Sequence, residues 1–82
     1  MTNADKISAI LADMIGRKPT IDEALISNGL IDSVLIVEIA LHIEELYRIS
    51  IDVADIRLEH FDSVEKICRF ISAKQSQLEG VI

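Results

Sequence analysis

From Leu30 to Tyr47 the chain carries no glycine or proline, and from Val34 onward its apolar residues return at helical spacing. Turn-forming residues that include Gly29 precede this stretch, so it reads as a long helix opening near Asp32. With Asp32 as N-cap, Ser33 becomes the first helical residue. Its hydroxyl then stands where backbone N–H groups lack partners and the helix dipole favours an anion. A phosphate ester at this position would be electrostatically at home.

The rest of the chain is helical around this element. Ile7, Ile10, Leu11, Met14 and Ile15 make the stripe of an amphipathic helix, with Thr2 or Asn3 as its cap and Gly16 as its stop. Arg17 and Lys18 complement its negative end, and Pro19 forbids continuation. A long loop follows as far as Ile31; because Ile21, Leu25, Ile26, Leu30 and Ile31 need cover, it is expected to pack back over the bundle and to deliver Ser33. Ile49 to Asp52 reads as extended, and Val53 to Leu58 as a short helical turn or two. Asp62 and Glu65 have capping-box spacing and open a last helix, whose apolar face is Val64, Ile67, Cys68, Phe70 and Ile71 and whose pattern fades near Gln77. The expectation is an all-α fold: a small bundle of three principal helices plus one short helix, with a long loop between the first two. Residues 1–82 form one domain, frayed from about residue 77.

A chain of 82 residues buries only about 60% of its unfolded surface. With 4% aromatic residues, its core must be built from Ile, Leu and Val. The net charge of −6 argues against nucleic acid and anionic membranes and makes basic proteins the natural partners. A single cysteine forms no internal disulfide, and no apolar run reaches the roughly 18 residues of a membrane span. A cytoplasmic monomer is the expectation.

Asp32-Ser33-Val34 after a glycine-containing turn, followed by a helix carrying Glu38, Glu44 and Glu45, resembles the acyl carrier protein family. Chain length and the order of helices extend that resemblance over most of the sequence. It implies a covalent carrier and not an enzyme: a phosphopantetheinyl transferase moves the 4′-phosphopantetheine arm of coenzyme A onto Ser33, with Asp32 as motif residue and cap. The arm's thiol then takes an acyl group as a thioester to acyl-transferring or acyl-activating enzymes of fatty-acid, polyketide or related biosynthesis. In carriers of general fatty-acid synthesis the glycine typically lies three residues before the serine, whereas Gly29 lies four before Ser33. That spacing looks more like D-alanyl and specialised stand-alone carriers, so an aminoacyl or D-alanyl carrier is the alternative. An unmodified interaction module is the alternative from another class.

A second Asp-Ser-Val stands at Asp62-Ser63-Val64, but the helix behind it carries Lys66, Arg69 and Lys74 instead of an acidic face, so the resemblance selects Ser33. Winding the long helix at about 100° per residue separates Leu35, Ile36, Ile39, Ala40, Ile43, Leu46 and Tyr47, the expected core side, from an outer arc. That arc holds Val34, Val37 and Leu41 among Glu38, Glu44, Glu45, His42 and Arg48 and is read as a docking surface for basic partner enzymes. His42 and His60 have no ligand-spaced neighbours, so no metal site is expected. Cys68 lies on an apolar stripe and reads as a core residue. Ser33, Glu38 and His42 make no catalytic set, because residues nine apart on one helix cannot converge on a proton.

Overall fold

In the computed structural model, which describes residues 2–79 and side chains through residue 76, four α-helices follow in order and no strand is present among the described residues. Helix α1 spans Asn3–Ile15 and is closed at its start by a reciprocal capping box in which the Thr2 hydroxyl accepts the Asp5 N–H and the Asp5 carboxylate accepts the Thr2 N–H. It ends at Gly16, whose φ of 83° lets its N–H donate to the Ala12 carbonyl at 2.9 Å. Helix α2, Ser33–Tyr47, starts at the N-cap Asp32 and ends on Arg48 in the left-handed conformation.

The chain then makes a 3₁₀ turn at Val53–Asp55 and a single α-helical turn, α3, at Leu58–Phe61. The short element expected between Val53 and Leu58 is therefore split in two. Its second half lies further on because Phe61 is drawn fully into the core, where its ring meets Phe70. Helix α4 spans Val64–Glu79, past the fading of the pattern near Gln77.

Helix α4 packs against α1 and α3, and α2 packs on α1. Their shared core contains Ile7 and Leu11 from α1, Ile36, Ile39 and Ile43 from α2, and Val64, Ile67 and Ile71 from α4. The loop of residues 16–32 buries Pro19, Leu25 and Ile31, so it does pack back over the bundle. Ile21 is an exception at 55% exposure. Its backbone explains why: the Ile21 carbonyl accepts the Glu65 N–H at 2.9 Å, which ties the loop to the start of α4 with the Ile21 side chain directed outward.

Two further expectations need correction. Leu46, on the expected core side, is 49% exposed; it lies ~60° from the Ile43 direction at which the buried arc of α2 is centred, and in the final turn. Asp62 does not cap α4. That role falls to Ser63, whose hydroxyl accepts the Lys66 N–H at 3.1 Å, while the Asp62 carboxylate turns back to the loop.

Candidate functional site

Three local features bring Ser33 to the surface. Gly29, at φ 74°, makes the turn in which its N–H donates to the Ile26 carbonyl at 3.0 Å. The Leu25 carbonyl accepts both the Leu30 and Ile31 N–H groups, at 2.9 and 3.1 Å, and the Ile31 side chain is buried. Asp32 then caps α2, its Oδ1 accepting the Leu35 N–H at 2.9 Å and its carbonyl the Ile36 N–H at 3.0 Å. Ser33 is exposed as the first residue of the helix, where the leading N–H groups have no intrahelical partner.

Beside Ser33 opens a cleft of about 260 Å³ between the loop, α2 and the α3 region, walled by Ile26, Ile36, Ile56 and Leu58. Arg57 stands at its rim, its Nε 2.9 Å from Glu59 in an exposed ion pair. This aliphatic cleft was not legible in the sequence, because its walls come from three segments and only Ile36 belongs to the helix that bears the serine. The hydroxyl offers the oxygen on which a phosphodiester can be built, and the unpaired N–H groups of the helix end suit its negative charge, while the Arg57 guanidinium is already paired with Glu59.

The second tripeptide is arranged differently. Ser63 is 5% exposed and its hydroxyl is engaged in capping, and Val64 is fully buried. Asp62, 8% exposed, accepts the Ile26 and Ser27 N–H groups on Oδ1 at 2.8 and 2.9 Å and the Ser27 hydroxyl on Oδ2 at 2.6 Å. Burial pushes its carboxyl up, but the hydrogen bonds from Ser27 and Ile26 outweigh this and hold it below the usual carboxylate range.

On the outer arc of α2, Val34, Val37 and Leu41 are 66%, 47% and 58% exposed, with Glu38, Glu45 and His42 exposed around them. Glu44 is half-buried instead, and its carboxylate accepts the Ile51 N–H at 2.7 Å, anchoring the chain after α2. Val53 and Leu58 add exposed apolar surface from the 3₁₀ turn and α3, which helical periodicity in α2 had no means of revealing.

The other candidates have structural surroundings. The His60 ring stacks on Phe70 with its Nδ1 2.8 Å from the Asp55 carbonyl oxygen. Cys68 is half-buried, and burial pushes its thiol up, away from the reactive thiolate. Among the described residues no group of three or more His, Cys, Asp or Glu side chains is placed to hold a metal ion. No helix among them is long and apolar enough to cross a membrane.

The site as built presents a hydroxyl outward from a helix end, as a scaffold for an attached group requires. The family model of the phosphopantetheine attachment site matches residues 5–71. The chain belongs to this family, that of the acyl carrier proteins, which hold a covalent 4′-phosphopantetheine group. None of the curated proteins matches it.

Proposed function

We propose that Ser33 is the attachment residue and that the chain is a discrete acyl carrier, loaded by a phosphopantetheinyl transferase and itself without catalytic activity. The observation that carries this reading is the contrast between the two serines: Ser33 is exposed on the mouth of α2, whereas Ser63 is buried and occupied by the Lys66 N–H. In the loading step the Ser33 oxygen forms a bond to the pantetheine-bearing phosphorus of coenzyme A. The phosphoanhydride bond breaks, adenosine 3′,5′-bisphosphate leaves, and the hydroxyl proton passes to the transferase. Once attached, the arm supplies a thiol for thioester chemistry. Asp32 holds the helix end that presents Ser33, and the aliphatic walls beside it favour an apolar acyl cargo.

Partner enzymes are read as basic at their docking patches. Exposed Glu38 and Glu45 supply steering charge, and Val34, Val37 and Leu41 supply short-range contact. Glu44 supports this surface less directly, since its carboxylate is tied to Ile51. The four-residue interval from Gly29 to Ser33 favours one second reading, an aminoacyl or D-alanyl carrier on the same serine.

Incubation with coenzyme A and a promiscuous transferase, followed by intact mass measurement, tests the assignment. Wild type and Ser63→Ala should each gain one arm and Ser33→Ala none. Labelling that survives Ser33→Ala would falsify it, and a wild type that takes no arm at all would favour an unmodified interaction module.

A further inference from the structure

The second Asp-Ser-Val has no part in the chemistry proposed for the first, yet its aspartate is among the few buried polar groups of the described residues. The donors it accepts all come from the loop before α2. Through its carboxylate Asp62 takes the N–H groups of Ile26 and Ser27 and the Ser27 hydroxyl, and through its carbonyl it takes the Leu25 N–H at 2.7 Å. Four hydrogen bonds thus hold three consecutive loop residues to the junction of α3 and α4. Leu25, so fixed, offers its own carbonyl to Leu30 and Ile31, and the next two residues are Asp32 and Ser33. A continuous hydrogen-bonded path therefore runs from Asp62 to the residue preceding the N-cap of α2.

We propose that Asp62 is a positioning residue for Ser33: its carboxylate clips Ile26 and Ser27 beside the Leu25 that its carbonyl holds, and the clip sets the chain's entry into α2, so that the serine is offered to the transferase in one conformation. The inference rests on the reading of Ser33 as the attachment site. A released clip leaves the hydroxyl chemically intact but competent in fewer molecules, and the apparent affinity falls by that fraction. If about a tenth of the molecules remain competent, KM rises about tenfold with kcat little changed.

The test uses the full chain at a temperature well below its melting transition. Asp62→Ala removes every carboxylate contact, Asp62→Asn keeps an oxygen for the two N–H groups, and Ser27→Ala removes only the hydroxyl contact. Ile7→Val destabilises the core without deleting any bond of the clip. KM for the carrier in the transferase reaction should rise several-fold in Asp62→Ala, less in Asp62→Asn and Ser27→Ala, and not in Ile7→Val, with kcat near wild type throughout. In parallel, hydrogen exchange at the Leu30 and Ile31 amides should accelerate in the clip variants relative to amides in the middle of α2, whereas Ile7→Val should leave that ratio unchanged. If Asp62→Ala is too unstable to purify, the Asp62→Asn and Ser27→Ala pair carries the comparison. KM values in the clip variants equal to that of Ile7→Val overturn the proposal even when Ser33 is labelled normally. Failure of the wild type to take the arm overturns instead the attachment reading, while the exchange ratio still reports whether the clip orders the loop.

Discussion

The two Asp-Ser-Val triplets differ by one residue in where their helix begins. In the first, Asp32 is the cap and Ser33 is left outside any hydrogen bond that the helix requires; in the second, Ser63 is the cap and Asp62 is released to reach across the molecule. One residue of register turns a side chain by about 100° around the helix axis, enough to exchange a presented hydroxyl for a buried one. The charge on Asp62 also has a consequence for acid stability. Its folded pKa lies below the unfolded value of about 3.9, so its contribution is complete above that value and is lost as pH falls through the folded one. Asp5, held down mainly by the Thr2 N–H, Glu23, by the Arg17 guanidinium, and Asp55, by the Asp52 N–H, act with the same sign. Asp62→Asn is expected to cost about 1–3 kcal/mol at neutral pH. Melting temperatures measured from pH 7 downward should show the gap to wild type closing below about pH 4. A gap that stays constant to pH 2 would mean that the carboxylate charge contributes nothing.

At the scale of elements, α2 divides its work between two faces. Ile36, Ile39, Ala40 and Ile43 are buried, and the opposite side leaves Val34, Val37 and Leu41 exposed within an acidic surround. Complementary charge accelerates encounter and fixes orientation more than it adds affinity, which suits a carrier that must also be released. Glu38→Lys combined with Glu45→Lys should therefore slow transfer of the arm to Ser33 at low salt, and the wild-type rate should fall as salt rises. Val37→Asp should slow it as well, with a weaker dependence on salt. Helical content measured by circular dichroism should stay near wild type in all of these. Unchanged modification of the charge-reversed protein at low salt would reduce the acidic arc to a solvated face. Glu44→Gln belongs to a different category: weakening its bond to the Ile51 N–H should lower stability by about 1 kcal/mol.

For the whole molecule, 14 acidic against 8 basic residues leave a charge of −6 on a small domain. The ion pairs Arg17 with Glu23, Arg57 with Glu59, Arg69 with Glu65 and Lys74 with Asp55 are at least partly solvent-exposed, so salt weakens them too, but such pairs contribute at most about 1 kcal/mol each. Screening of the surplus negative charge should prevail. The melting temperature is expected to rise by a few degrees between low and moderate sodium chloride concentration. A flat or falling value in calorimetry would show that the ion pairs outweigh the repulsion.

Features governed by short-range physics can be read from the residues alone. The limits of α1 and α2, the cap at Asp32, the turn at Gly29 and the buried faces of α2 and α4 each depend on residues within a few positions of one another. Tertiary structure alone decided what depends on partners distant in the chain. Asp62 and Glu65 satisfy a capping pattern, but the carboxylate gains more by taking donors from Ile26 and Ser27, some 35 residues away, because an unanswered loop amide would cost more than a cap that Ser63 supplies equally well. Leu46 fits an apolar stripe, yet at the stripe's edge it stays 49% exposed, because cover there depends on whether another element reaches it. The cleft beside Ser33 exists only because the loop, α2 and α3 come together around one small core.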